Sequence, residues 1–376
     1  MNIIIGADLV PTQKNNHRFL SPESAEIASQ DILRILESAD YRIFNCEIPL
    51  AKGGQPIDKF GPNLKADPDC IRGFVALGTD FLTLANNHMM DFGTEALHET
   101  LQTVAAAGIS YSGVGDTVEE AQTLFTTHIG NKTVGIYCCV EHEFSVATHL
   151  SAGANPFDPL YSLGHIQELR EQCDLVIVLY HGGRELYQYP TPKLQERCRR
   201  MVDYGADLVL CQHSHCIGAK EMYKGKEILY GQGNFIFDRT DNPITKEGLL
   251  VKVIFDNKGI NIEHIPVIVK NGFAELAIDE KRQEILNGFE NRSKYIESPD
   301  NVQKKFDELC NSVMSNYLFA FRGGSIIAKI INKLTHGSYV KRIYKDKKAL
   351  QILNNIQCET LQEVSTRSLE LAANRK

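Results

Sequence analysis

The chain has 376 residues, 43% hydrophobic and 23% charged, enough apolar content to bury a large core in one domain or two. A formal net charge of −7 excludes a surface tuned throughout to nucleic acid, which needs a basic footprint. Ten cysteines lie scattered, mostly inside apolar runs and with no CxxC spacing, a pattern of reduced buried thiols rather than a disulfide framework.

The N-terminus opens on Asn2-Ile3-Ile4-Ile5-Gly6 with no basic stretch and no apolar segment of signal length. No apolar run approaches the ~18 residues of a membrane span, so a cytoplasmic protein without a span is the expectation. From residue 1 to about 270, short β-branched runs alternate with helical patterns, the signature of an α/β domain. Strands are expected at 2–6, 41–46, 80–85, 133–140, 174–180 and 207–211, with helices at 22–38, 67–77, 94–107, 162–172 and 193–204. Strands so continuously apolar are buried on both faces. After residue 220 the runs 226–237, 248–255 and 259–270 follow one another with short turns, which predicts hairpins and a mixed or second sheet.

Beyond residue 275, Val302, Phe306, Leu309, Val313, Tyr317 and Phe321 recur at helical spacing, which predicts a helical extension over 275–376 attached to a domain over 1–270. Gly323-Gly324 punctuates it. A basic cluster at Lys341, Arg342, Lys345, Lys347 and Lys348 reads as a solvated helix face, with a contact for membrane lipid or a polyanion as the alternative.

Residues able to ligate metal stand at the expected strand ends, the carboxyl edge where open α/β sheets place their sites. Asp8 follows the first strand, Asn45 and Glu47 end the second, and Asn86, Asn87 and His88 end the third. His181 ends the run 174–180, and His213 with His215 end the run 207–211. An isolated Asp8 reads as a turn former and an isolated His181 as a structural histidine, but five strand ends meeting on one rim point to a site. Glu47 directly after an apolar strand needs a cationic or metal partner if buried. His213 and His215, two apart in an extended segment, are expected to point to one side. Carboxylate, amide oxygen and imidazole without thiolate suit one or two divalent ions of Mn, Zn or Fe better than Ca.

The blocks Asn45-Cys46-Glu47-Ile48-Pro49-Leu50, Asn86-Asn87-His88-Met89-Met90-Asp91-Phe92-Gly93, Tyr180-His181-Gly182-Gly183-Arg184-Glu185, His213-Ser214-His215 and Gly233-Asn234-Phe235-Ile236-Phe237-Asp238 resemble, in order, the motifs of the bacterial capsule-synthesis or poly-γ-glutamate-synthesis CapA family. That family is similar in fold to the calcineurin-like metallophosphoesterases, so the resemblance implies an αββα sandwich of two mixed sheets flanked by helices. It further implies that Glu47 bridges two ions, one held by Asp8 and His215 and the other by Asn87, His181 and His213. His88 would then be the general acid, with Asp91 orienting an imidazole. Asn45, Arg184 and Asn234 are expected to contact substrate. The superfamily places a histidine two residues after its first aspartate, where this chain has Val10, so the ion at Asp8 is a ligand short.

Three functions follow as expectations. The first is a metal-dependent phosphoesterase-like hydrolase acting on a phosphate-containing or anionic polymer in capsule polysaccharide or poly-γ-glutamate biosynthesis. The second is a non-catalytic accessory protein among capsule-assembly proteins. The third is a metal-dependent γ-glutamyl amide hydrolase, since an activated water attacks carbonyl carbon as well as phosphorus. Neither a P-loop nor a GxSxG elbow is present.

Overall fold

From Ile3 to Val10 every residue of the first strand is buried, as its unbroken apolar run requires. In chain order the strands are β1 (Asn2–Val10), β2 (Tyr41–Asn45), β3 (Phe81–Thr83), β4 (Ser110–Ser112), β5 (Val114–Gly115), β6 (Phe125–Ile129), β7 (Lys132–Val140), β8 (Gly153–Ala154), β9 (Leu175–His181), β10 (Leu208–Gln212), β11 (Lys220–Tyr223), β12 (Lys226–Leu229), β13 (Asn234–Phe237), β14 (Glu247–Asp256), β15 (Gly259–Lys270) and β16 (Phe273–Leu276). The α-helices are α1 (Asn16–Leu20), α2 (Gln30–Glu37), α3 (Ile71–Ala76), α4 (Gly93–Ala106), α5 (Val118–Ala121), α6 (Ser162–Gln172), α7 (Pro192–Asp203), α8 (Asp279–Tyr295), α9 (Pro299–Arg322), α10 (Ile326–Leu334), α11 (Ser338–Ile343) and α12 (Lys347–Gln357). This computed structural model describes all residues except 22, 239–240, 257–258, 323–324, 345–346, 358–360, 363–364, 367–368 and 370–376, so Gly323-Gly324 and Lys345 lie outside the described residues.

One sheet runs β16-β15-β14-β1-β2-β3-β4, with β13 also paired to β1. Its β1, β2, β3, β4 and β13 are parallel, whereas β14, β15 and β16 form an antiparallel meander on its edge. The other sheet runs β11-β12-β10-β9-β7-β6, parallel at its centre and antiparallel at both edges.

Alternation along each strand divides the core into layers. Ile3, Ile5 and Ile43 from the first sheet meet Ile136, Ile177 and Leu210 from the second between the sheets. Ile4, Phe44 and Leu82 turn the other way, against Phe19, Ile32, Phe74 and Leu97 of α1 to α4. Tyr137, Val176, Val178 and Val209 likewise meet Ile166 of α6 and Cys198 and Met201 of α7. The result is an αββα sandwich of two mixed sheets flanked by helices. Each such side chain contributes about 1.5–3 kcal/mol by leaving water, and Ile177→Ala, cutting a fully buried side chain between the sheets, costs about 2–5 kcal/mol.

The compact unit containing the sandwich extends to Val302, beyond the boundary at 270–275 expected from sequence. The reason is that β16 is too short to show a period, and α8 buries only Ile285, Phe289 and Ser293 on an otherwise polar helix. The second unit, Gln303–Lys376, is helical throughout its described secondary structure. Among the described residues no helix is long and apolar enough to cross a membrane.

Candidate metal centre

β1 does not end before Asp8; it runs through it to Val10. Its register slips between Ile5 and Asp8 against β2, and again between Asp8 and Leu9 against β13, a local irregularity that leaves Asp8 opposite Asn45 on one side and Asn234 on the other. The buried Asp8 carboxylate accepts at Oδ1 from the Asn45 amide (2.7 Å), and its Oδ2 lies 3.2 Å from His215 Nδ1. Asn234 Oδ1 is 3.0 Å from that same nitrogen, and its amide donates to the Thr245 carbonyl. Asn234 is held by close backbone approach: a Cβ on Gly248 would land on the Asn234 carbonyl oxygen, and Gly233 turns at φ +78.

The turn after β3 carries Asn86, Asn87 and His88. Asn86 donates to the Cys46 carbonyl (2.9 Å), and its Oδ1 accepts the His88 backbone N–H (3.2 Å), which ties this turn to the one bearing Glu47. His181, the last residue of β9, lies with Nδ1 3.2 Å from the Asn45 amide and Nε2 3.0 Å from Asn87 Oδ1. The turn after β10 brings His213 Nδ1 to 3.1 Å from the same His181 Nε2. The expected extended His-Ser-His segment is not what forms. His213 and His215 both take left-handed backbone, φ 89 and 53, and the rings diverge toward different carboxylates. Such backbone in non-glycine residues costs energy and persists where packing over-determines it. Here the close passage of Gly231 against Cys216 and Ser214 pins the turn.

Glu47 lies between the two sets. Its Oε1 is 3.4 Å from His181 Nε2 and 3.7 Å from His215 Nε2. The residue is fully buried, and neither carboxylate oxygen has a hydrogen-bond partner among the described residues. An ionised carboxylate in that position is strongly penalised unless a cation answers it. Burial, and then the Asp8 charge, push its acid well above the usual carboxylate range. Burial first, and then the neighbouring imidazoles, hold His181 down to about 3 and His213 well below normal, so both rings are neutral and have a nitrogen lone pair to give. His215 behaves oppositely: burial lowers it, but Glu47 and Asp8 outweigh that and raise it to about 9. For Asp8, burial raises the acid and His215, His181 and Asn45 bring it net below normal.

These donors fit divalent metal. Around His181 Nε2, the atoms Asn87 Oδ1, His213 Nδ1 and Glu47 Oε1 stand at 3.0, 3.1 and 3.4 Å. Ligand atoms about 2.0–2.1 Å from one tetrahedral ion lie about 3.3 Å from each other, so the spacing is that of one ion's ligand shell. Glu47, His181 and His213 form one group of potential ligands and Asp8, Glu47 and His215 a second, with Glu47 common to both. Val10 is buried in the helix-side core and offers no ligand to the second group.

Next to the cluster, His88 Nδ1 is 2.6 Å from Asp91 Oδ2, which also accepts the Leu64 backbone N–H at 2.6 Å. Asp91 Oδ1 is ion-paired to Lys59, whose Nζ is 3.3 Å from His88 Nδ1. Burial, against the pull of Asp91, leaves His88 lower than an ordinary histidine.

Asn45 hydrogen-bonds Asp8 and lies against His181, and Asn234 hydrogen-bonds Thr245 and lies against His215, so both amides are engaged within the cluster. Arg184 is exposed and makes no side-chain hydrogen bond or ion pair among the described residues. Sequence reasoning also missed three residues. Lys59 comes from a long irregular loop with no period to read. Glu141 and Glu143 stand 3.6 and 3.9 Å from His213 Nε2, and burial, with Glu143 adding to it, raises Glu141 to about 7. Their direct succession to β7, which runs beside β9, was the available signal.

The bacterial capsule synthesis protein profile PGA_cap matches residues 3–239. The capsule biosynthesis protein CapA of Bacillus anthracis is 27% identical over 248 residues, covering 63% of this chain and 60% of that protein. The PGA biosynthesis protein CapA of Bacillus subtilis is 28% identical over 223 residues, covering 58% of each. The chain thus matches about three-fifths of the length of these relatives. A phosphatase structure from Mycoplasma pneumoniae aligns at TM-score 0.45 and 13% identity over 71% of this chain and 93% of that one.

Proposed function

Because the chain belongs to the bacterial capsule synthesis protein family, we propose that its cluster of Asp8, Glu47, Asn87, His181, His213 and His215 is the centre of a metal-dependent, phosphoesterase-like hydrolase serving capsule polysaccharide or poly-γ-glutamate biosynthesis. The observation that carries this reading is Glu47, a fully buried carboxylate whose two oxygens accept no hydrogen bond among the described residues and which lies between two histidine groups.

Mn, Zn or Fe bound there supplies Lewis acidity to activate water and to neutralise charge on a phosphoryl group. The protein's own residues do the rest. Asn45 holds Asp8 and His181, Asn234 holds His215, and each ligand's second polar atom is thereby fixed. Asp91 binds the Nδ1 side of His88 and favours its protonated form against burial, and in that form Nε2 is free to donate a proton to a departing oxygen. Lys59 shares Asp91 with His88 through an ion pair whose two side chains are buried.

Val10 favours a second reading, a non-catalytic accessory protein that binds polymer or capsule-assembly partners with a residual metal site. One experiment separates them: hydrolysis of phosphomonoesters, phosphodiesters and γ-glutamyl peptides by the Mn- or Zn-loaded protein, beside His88→Ala. Phosphoester turnover lost in His88→Ala supports the enzyme; no turnover on any of the three, with metal bound, supports the accessory protein.

A further inference from the structure

α10 carries its apolar face outward. Ile326, Ile327, Ile330, Ile331 and Leu334 are all exposed, Ile326 by 79% and Leu334 by 74%, while small Ala328 faces inward and Asn332 accepts the Val340 backbone N–H from α11. At about 3.6 residues per turn the four isoleucines and the leucine make one continuous stripe, with exposed Lys329 and Lys333 along its flank. A helix buried in a globular unit orients the other way. The pattern repeats on α12, where Leu350, Leu353 and Ile356 are exposed, and on α9, where Tyr317 and Phe321 are.

Charge selects the occupant. From α9 to α12, residues 299–357 hold ten Lys and Arg and four acids, a net of +6 in a chain that totals −7, and α10 itself has no acid. An apolar stripe edged by lysines, in a basic unit with exposed aromatic residues, fits the boundary between lipid headgroups and acyl chains, where lysine stems lie along the apolar phase and their ammonium groups reach phosphate. A soluble polyanion would use the lysines and leave the isoleucines in water.

We propose that the helical unit from α9 to α12 docks in the plane of an anionic lipid bilayer, through the apolar stripe of α10 and the basic residues beside it. The inference is independent of the catalytic reading.

The test is flotation of the full chain with phosphatidylcholine vesicles, with and without phosphatidylglycerol, alongside Ile330→Asp/Leu334→Asp and Lys329→Gln/Lys333→Gln. The protein is expected to float with phosphatidylglycerol vesicles and not with phosphatidylcholine alone. The aspartate pair abolishes flotation, and the glutamine pair weakens it by roughly tenfold or more. A circular dichroism spectrum and thermal midpoint matching the parent's show that each variant is folded. The proposal is overturned by failure to float with anionic vesicles, by full flotation of the aspartate pair, or by binding to soluble polyglutamate without flotation. A lipid-free dimer that Ile330→Asp/Leu334→Asp dissociates, with no flotation of the parent, also overturns it and assigns the stripe to a second copy.

Discussion

His181 Nε2 and His213 Nδ1 lie 3.1 Å apart at the ends of adjacent parallel strands, two buried ring nitrogens that burial keeps unprotonated. Each has a lone pair to give, and a cation between them would answer both. Saturating Mn or Zn should therefore raise the thermal midpoint of the native protein, by about 2.7 kcal/mol of stability at a hundredfold excess over Kd. His181→Ala and His213→Ala should lose that rise in a melting experiment with and without chelator. A rise of equal size in His181→Ala would place the ion elsewhere.

Glu47→Gln separates metal binding from folding. It keeps shape and removes a carboxylate whose two oxygens accept no hydrogen bond among the described residues. Glu47's folded acid is raised, so in the metal-free protein its contribution to stability is present below the unfolded value and lost as pH rises. Metal-free Glu47→Gln at pH 8 is expected to melt no lower than the metal-free parent. The parent should gain stability with metal and the variant should not. A metal-free variant that melts far below the parent would show that Glu47 has a partner in the protein itself.

Metal affinity should rise with pH. His215 is raised to about 9 by Glu47 and Asp8 against its burial, so at pH 7 the metal-free cluster holds a proton that a metal ion must displace. His181, held down to about 3, holds none to lose. Between pH 7 and 9 the affinity should increase, by roughly tenfold per unit for one displaced proton. The same shift means that the stabilisation from protonated His215 is complete below its unfolded value and disappears as pH rises through about 9. Calorimetric titrations at three pH values measure the slope; a flat profile contradicts the role given to His215.

Asp91→Asn tests the proton donor without touching a ligand. It breaks the pairing with His88 Nδ1 and with Lys59, and should lower kcat on any phosphoester substrate by roughly a hundredfold or more while metal content stays constant. His88→Ala should fall as far. If kcat is unchanged in both, His88 is not the general acid.

Much of this architecture is written in the sequence because buried strands demand unbroken apolar runs. β7, β9 and β10 fall within one residue of the runs that predict them. β1 is longer than its run because Asp8, which reads as a strand end, is tolerated inside the strand where the register slips. The ligand residue types and their places after strands were readable too. The paths of His213 and His215 were not, since nothing in a His-Ser-His segment announces left-handed backbone at two non-glycine residues. Glu141, Glu143 and Lys59 come from irregular segments whose polar residues have no period, so only tertiary structure brings them to the cluster.

The cysteines offer a check on the core. Burial pushes Cys46 and Cys138 up to about 12, so at pH 8 neither holds appreciable thiolate. Native protein treated with iodoacetamide should keep both thiols unmodified, and unfolding in guanidinium should expose them, as read by peptide mass spectrometry. Rapid native labelling of Cys138 would show the space between the sheets to be open.

Glu47, His181 and His213 are placed to hold a transition-metal ion. Elemental analysis of the natively purified protein, beside His181→Ala and His213→Ala, measures this directly. At least one tightly held Mn, Zn or Fe per chain is expected in the parent, with its loss in both variants. A native protein free of transition metal, or variants that retain the full complement, would contradict it.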